Sequence, residues 1–140
     1  MPAHVTALYP FLSADRLTDS VMTKLRGLCA ELPVLEVEFP RVARFPSVLY
    51  LDPVPADGLR RLTTTIAKQW PEAPPYGGRF DAVVPHLTVA HEADAGVMAD
   101  IENDVRSALP VRALLENARL YVFDGARWQA RQDLPFGVAA

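Results

Sequence analysis

The sequence predicts a single domain of mixed helices and strands, built from two β-α-β-β units that pair as two lobes. The first observation is a motif, His-x-Thr followed by an apolar residue, which occurs at His4 and again at His86. The second is that the offset between these motifs also aligns the segments that follow each of them. We therefore predict an internal twofold repeat within residues 1–140, with units at about residues 3–53 and 85–135.

The composition limits the class of protein. Half of the residues are hydrophobic and the net charge is −3, which predicts a soluble globular domain with enough chain for a core. A protein that grips long RNA through its phosphates usually carries a basic stripe, so the acidic balance favours a small substrate or one recognised at its end. Because the sequence has neither a signal-peptide pattern nor a run of about 18 apolar residues, we expect a cytoplasmic protein without a membrane span.

The first unit has the alternation and periodicity of one helix and three strands. In order we predict a strand over residues 3–8, a helix over 14–31 capped by Ser13, a strand over 34–39 and a strand over 48–51. Pro40 bends the second strand or confines it to a sheet edge. The third strand is apolar throughout, which favours a central position, and Asp52-Pro53 ends it.

A helix and a long loop lie between the two units. The helix is marked by apolar residues at helical spacing, namely Leu59, Leu62, Ile66 and Trp70. The loop over residues 72–84 is rich in proline and glycine. Loops held by a rigid scaffold often carry binding groups, so Tyr76 and Arg79 become candidate substrate-binding residues. The alternative is that this loop is only a connector.

The second unit begins with the strand that carries His86. A helix follows, marked by apolar residues every four positions, namely Val97, Ile101, Val105 and Leu109. Residues 120–123 and 128–134 then predict a hairpin, because Asp124-Gly125 supplies the positive φ angles of a tight turn. The single cysteine, Cys29, cannot form an intrachain disulfide and is expected to be a small buried apolar residue.

The two motifs carry the chemistry. Successive strand side chains point to opposite faces, so His86 and Thr88 project together, about 7 Å apart, as His4 and Thr6 do. A neutral imidazole takes a proton and an imidazolium returns one, so two histidines facing each other across the groove between lobes form a general base and acid. A threonine hydroxyl beside each imidazole donates to a phosphate oxygen. This arrangement needs no metal ion or other cofactor.

A structural role for these histidines is the alternative, and for one motif alone it would be preferred. By chance, about one histidine in fifteen should be followed by this pattern, so two matches in repeat register favour function. His91, the third histidine, lies an odd number of residues from His86. Strand alternation sends it to the opposite face, where we expect a surface residue rather than a shared metal site.

Four stretches resemble bacterial members of the 2H phosphoesterase superfamily, and specifically its 2′-5′ RNA ligase-like branch. They are HVTALYPF at residues 4–11, PSVLYL at 46–51, PYGGRF at 75–80 and PHLTVA at 85–90. The resemblance implies a bilobed α+β fold with antiparallel sheets around a central cleft. It also implies that His4, Thr6, His86 and Thr88 are catalytic, with the substrate a small cyclic nucleotide or an RNA terminus.

The leading hypothesis is therefore a metal-independent cyclic phosphodiesterase that hydrolyses 2′,3′-cyclic phosphates. The alternatives are a 2′-5′ RNA ligase that uses the same groups in the reverse direction, and a catalytically silent nucleotide-binding module. Tyr9, two residues after the end of the first motif, joins Tyr76 and Arg79 as a candidate substrate-binding residue. Which histidine is the base and which the acid stays open.

One departure from the family pattern concerns the start of the sequence. Family members generally have a strand and a helix before the first motif, whereas here His4 is preceded by three residues. An open strand edge promotes association. We therefore expect this form to self-associate through the first lobe, or to be less stable than a version extended by those two elements.

Overall fold

The computed structural model describes residues 3–78, 84–91 and 93–137. In chain order its main elements are α1 (Asp19–Ala30), β1 (Leu35–Phe45), β2 (Val48–Val54), α2 (Asp57–Gln69), β3 (Leu87–His91), α3 (Ala95–Ala108), β4 (Val111–Leu115), β5 (Asn117–Phe123) and β6 (Trp128–Pro135). Both sheets are antiparallel, one with strand order β3-β2-β1-β4 and one formed by β5 and β6. The predicted α+β class is confirmed. None of the described helices is long and apolar enough to cross a membrane.

Strand β1 runs through the middle of the larger sheet and changes partner along its length. Its first half pairs with β4 and its second half with β2. The register with β2 slips between Glu38 and Arg41, at Pro40, which has no N–H to donate to the ladder. Pro40 was predicted to bend the strand or confine it to a sheet edge; the structure has an irregular register there, and β1 is not an edge strand. Strand β2 is central, as predicted, but it continues past Asp52 to Val54.

The apolar side chains form two cores, here called the sheet core and the hairpin core. The sheet core is built on Val37, Phe39 and Leu51, with Val5, Leu87, Val105 and Leu109 packed against them. The hairpin core is built on Leu25, Cys29, Leu62, Ile66, Trp70 and Leu134. Cys29 is fully buried, as predicted, and burial raises the pKa of its thiol to about 11.

The two cores draw their elements from both halves of the chain. Helix α3 packs against β1, and an ion pair joins Arg44 Nε to Glu102 Oε1 at 2.9 Å. Helix α1 packs against α2 and β6 in the hairpin core. The β5–β6 sheet of the second half is therefore covered by α1 of the first half, whereas the larger sheet itself combines β1 and β2 of the first half with β3 and β4 of the second.

The first helix and strand β4 differ from the prediction. The helix expected over residues 14–31 begins at Asp19, where the Thr18 hydroxyl accepts the N–H of Val21 at 3.3 Å. Residues Ala14–Arg16 form a separate turn of 3-10 helix, and Ser13 makes no capping bond there. Strand β4 was not predicted. It is five residues long, and such short runs carry little periodicity of their own.

The predicted hairpin is confirmed, with a longer loop than Asp-Gly alone. Residues 124–127 form the loop, and of these only Gly125 has a positive φ, +98°. One carboxylate oxygen of Asp124 accepts the N–H groups of Ala126 at 2.8 Å and Arg127 at 2.9 Å. These backbone N–H groups, that of Arg127 foremost, hold the pKa of Asp124 below its usual value.

Candidate active site

The first motif lies on a crossing segment rather than on a strand. Residues 3–8 were predicted as a strand, but a single antiparallel bridge, Val5 to Leu87, is formed there. The reason is that Val5 packs in the sheet core whereas Ala7 and Leu8 pack in the hairpin core. The segment leaves β3 after one pair to reach the second core. There the Thr63 hydroxyl of α2 donates to the carbonyl of Ala7 at 2.5 Å.

The Val5–Leu87 bridge places the two motifs side by side. In an antiparallel pair it sets His4 opposite Thr88 and Thr6 opposite His86, with Cα atoms of opposed residues about 4.5–5.5 Å apart. In a regular antiparallel ladder, the positions of His4 and His86 would be diagonal neighbours about 7–8 Å apart. Because Val5 and Leu87 both pack in the sheet core, the two His-Thr pairs lie on the opposite face.

The sequence predicted two motifs that face each other across a groove between lobes, and in the structure the central residues of the two motifs are bridged. His4 and Thr88 are exposed, whereas Thr6 and His86 are half-buried. Each motif thus has one exposed and one half-buried member of its His-Thr pair.

The His86 ring is oriented by a backbone carbonyl. Its Nδ1 lies 2.7 Å from the carbonyl oxygen of Val84. A carbonyl oxygen only accepts hydrogen bonds, so Nδ1 carries the proton and donates it to Val84. In the neutral ring the lone pair is therefore on Nε2, and this nitrogen is the one available to take a proton from another molecule.

Two aromatic rings support His86 from β1 and β2. Phe45 and Tyr50 stack with ring centroids 4.3 Å apart. The His86 ring meets both of them edge to face, with its centroid 5.3 Å from that of Phe45 and 5.6 Å from that of Tyr50. Tyr50 also pairs with Thr88 across the strands. Sequence analysis missed these two residues, since the only local signal is an aromatic residue on each side of the β1–β2 turn.

The loop over residues 72–84, a candidate for substrate binding, is hydrogen-bonded to the segment that follows the first motif. The N–H of Tyr76 donates to the carbonyl of Tyr9 at 2.5 Å, and Tyr76 has a positive φ of 52°. Burial raises the pKa of the Tyr76 hydroxyl. Tyr9 is 47% exposed. The third candidate of this group, Arg79, lies outside the described residues.

His91 differs from its prediction in one respect. It is an exposed strand-end residue, as expected. However, β3 has an extra residue, Val89, where Thr88 pairs with Tyr50 and Ala90 pairs with Leu49. This bulge reverses the alternation, so His91 is on the sheet face of Thr88 instead of the opposite one. In the described part of the chain, no three His, Cys, Asp or Glu side chains are grouped as a metal site requires.

Comparison with known proteins identifies the family of this chain. The family model described as the 2′-5′ RNA ligase superfamily matches residues 1–127. A protein of Geobacillus kaustophilus named "Putative phosphoesterase" is 24% identical over 110 residues, which is 76% of this chain. The chain spans 61% of that protein's length. Since the family model covers both His-x-Thr motifs and most of the chain, this protein belongs to the 2′-5′ RNA ligase superfamily, the family of the 2H phosphoesterases.

Proposed function

We propose that this protein is a metal-independent phosphodiesterase that opens 2′,3′-cyclic phosphates of nucleotides or RNA ends. The observation that carries the proposal is the Val5–Leu87 bridge, which pairs the central residues of the two His-x-Thr motifs. A general base and a general acid must both be within hydrogen-bond reach of the reacting phosphate. Two imidazoles on diagonal positions can meet that requirement around a single phosphorus atom.

The proposed reaction is an in-line displacement at phosphorus. One neutral imidazole takes a proton from water as the water oxygen bonds to phosphorus. The bond from phosphorus to one ribose oxygen breaks, and the other imidazole, in its charged form, protonates that oxygen. The product is a phosphomonoester on the 2′ or the 3′ oxygen, and its identity tells which ribose oxygen has left.

The two hydroxyls hold the phosphate in this geometry. Thr6 lies opposite His86 and Thr88 opposite His4, so each imidazole has a hydroxyl across the pair as well as one on its own segment. A hydroxyl that donates to a non-bridging phosphate oxygen fixes the phosphorus and stabilises charge that develops on that oxygen. The chemistry assigned to these four residues is complete without a metal ion.

RNA ligation is the second candidate, and the description of the matching family favours it. In that reaction a 5′-hydroxyl of another RNA end attacks the cyclic phosphate in place of water, and the same base and acid move the protons. A catalytically silent binding module is the third possibility. It would bind cyclic-ended nucleotides at the same face but would not turn them over.

The test is incubation with 2′,3′-cyclic mononucleotides and cyclic-ended oligonucleotides, with and without a 5′-hydroxyl RNA, followed by product analysis. Hydrolysis that survives excess EDTA supports the proposal, whereas complete loss on chelation that added metal restores would refute the metal-independent mechanism. Joined products would assign the ligase instead. Binding without any product would assign the silent module.

A further inference from the structure

The imidazole of His86 packs against an aromatic pair, Phe45 and Tyr50, that belongs to neither core. The centroids of the three rings form a triangle with sides of 4.3, 5.3 and 5.6 Å. The planes of the aromatic pair are 22° apart, whereas the imidazole plane is turned by 89° and 70° from them. Tyr50 is only 9% exposed, yet neither residue of the pair is part of the sheet core or the hairpin core. They pack against each other and against His86 instead.

One hydrogen bond does not by itself fix the orientation of a histidine ring. The terminal torsion of this side chain, χ2, has two broad wells that differ by about 180°. The bond from Nδ1 of His86 to the Val84 carbonyl, at 2.7 Å, selects the well in which Nδ1 rather than a ring carbon faces the carbonyl oxygen. Aromatic rings at these separations prefer an edge-to-face arrangement. The two ring contacts therefore limit how far the imidazole rotates within the selected well.

Both residues of the aromatic pair are carried by strands that are hydrogen-bonded to their neighbours. Phe45 and Val48 are the last cross-strand pair before the β1–β2 turn. Tyr50 lies on the central strand β2, where it pairs with Ala43 on one side and with Thr88 of the second motif on the other. The pairing of β1, β2 and β3 thus sets where the aromatic pair lies relative to the second motif.

An ion pair anchors the end of β1 that carries Phe45. Arg44, the preceding residue, bonds through Nε to Oε1 of Glu102 on α3 at 2.9 Å, and Arg106 contacts the other carboxylate oxygen at 3.1 Å. Neighbouring strand residues point to opposite faces, so Arg44 reaches α3 while Phe45 reaches His86. Helix α3 therefore helps to hold the strand end from which the Phe45 ring contacts the imidazole.

From these contacts we infer that Phe45 and Tyr50 are positioning residues, which hold the His86 imidazole in the orientation in which Nδ1 is bonded to the backbone and Nε2 exchanges a proton with the substrate. This inference rests on the proposed function, in which His86 is a general acid or base. Such a group must lie within about 2.6–3.2 Å of the atom with which it exchanges the proton, so a small rotation of the ring takes it out of reach. Neither aromatic residue has to touch the substrate in this role.

The first experiment compares Phe45→Leu and Tyr50→Leu, which remove a ring, with Tyr50→Phe, which keeps it. The control is Phe123→Leu, which removes a ring that contacts Trp128 at 5.4 Å on the β5–β6 hairpin. With a 2′,3′-cyclic mononucleotide as substrate, we expect Phe45→Leu and Tyr50→Leu each to lower kcat roughly 10- to 100-fold, the cost of a misplaced catalytic group, and to leave KM nearly unchanged. Tyr50→Phe and Phe123→Leu should keep the kcat of wild type.

The second experiment needs no turnover. Long-range proton–nitrogen NMR spectra, recorded at a pH where the imidazole is neutral, show which ring nitrogen carries the proton, and the His86 signals are identified by their absence in His86→Ala. We expect a protonated Nδ1 in wild type, Tyr50→Phe and Phe123→Leu, and a mixture of both tautomers in Phe45→Leu and Tyr50→Leu. Circular dichroism verifies that each variant is folded. Should Tyr50→Leu not fold, Phe45→Leu, whose side chain is only half-buried, decides alone.

A fall in kcat together with mixed tautomers supports the inference. An unchanged His86 spectrum in the folded ring-removing variants would overturn it, and so would mixed tautomers with the kcat of wild type. A loss of kcat/KM that comes from KM alone would assign the rings to substrate binding and likewise overturn the positioning role. If wild type turns over no substrate, the proposed function fails, and the NMR spectra still decide whether the aromatic pair holds the His86 ring.

Discussion

Replacing Thr63 with valine tests whether the hydrogen bond from α2 to the carbonyl of Ala7 positions the first motif. Thr63 is 3% exposed, and its hydroxyl donates to the carbonyl of Ala7, the residue after Thr6. It also contacts the carbonyl of Leu59 at 3.3 Å within the helix. Valine has nearly the same shape and a similar helix propensity, so the substitution removes the hydroxyl and little else.

The expected loss of stability comes from the Ala7 carbonyl, because the substitution removes its hydrogen-bond donor. The Ala7 carbonyl loses its donor at a partly buried position, and an unsatisfied polar group of this kind costs about 1–2 kcal/mol in the free energy of unfolding. For a domain of this size that is a fall in Tm of roughly 3–8 °C. Because Ala7 adjoins Thr6, we also expect kcat/KM to fall, by up to about 10²-fold if the motif shifts by 1 Å.

The neighbouring residue provides a matched control. Thr64 is exposed, and its hydroxyl donates to the carbonyl of Arg61 at 3.1 Å on the outer side of the same helix. Thr64→Val should change stability by less than about 0.5 kcal/mol and leave activity intact. Thermal melting and steady-state kinetics of both variants decide the matter. If Thr63→Val is less stable but fully active, the Thr63–Ala7 hydrogen bond stabilises the fold without positioning the first motif. That result would refute the proposed positioning role of Thr63.

Three further predictions concern the site and the hairpin. His4→Ala and His86→Ala should each lower the rate about 10²- to 10⁴-fold, the usual contribution of one acid or base, whereas His91→Ala, on the same sheet face, should keep full activity. The rate should depend on pH as a bell, because one imidazole must be neutral while the other is charged; a flat profile between about pH 5 and 9 would contradict the pairing if chemistry limits the rate. Because the folded-state pKa of Asp124 lies below its ordinary value of 3.8, its contribution to stability is present above that value and is lost as the pH falls through the lowered pKa. Melting curves of wild type and Asp124→Ala should therefore converge as the pH is lowered below about 4, and a constant difference down to pH 2 would disprove this role.

The parts of the fold that the sequence predicted well are those decided by local pattern. The spacing of apolar residues located the three α-helices of the described residues. The hairpin followed from a turn signal between two apolar runs. In each case the side chains that decide the structure are within a few turns or a few strand positions of one another.

What the sequence could not supply depends on contacts between distant segments. Residues 3–8 have the residue pattern of a strand, but Val5 packs in the sheet core and Ala7 and Leu8 pack in the hairpin core. The segment therefore leaves β3 after a single bridge. The bulge at Val89, which turns His91 to the other face, arises from the pairing of β3 with β2. The support of His86 by Phe45 and Tyr50 likewise exists only once the strands have paired.

Residues 3–8 cross from the sheet core to the hairpin core, so the position of the first motif depends on both cores. Val5 is fixed by the sheet core and Ala7 by the hairpin core, and His4 and Thr6 lie on either side of Val5. The second motif is carried by β3 of the larger sheet, so its position depends mainly on the sheet core. The distance between the two imidazoles therefore depends on how the two cores sit against each other. Loosening the hairpin core is then expected to displace His4 and Thr6 while leaving His86 and its aromatic support in place.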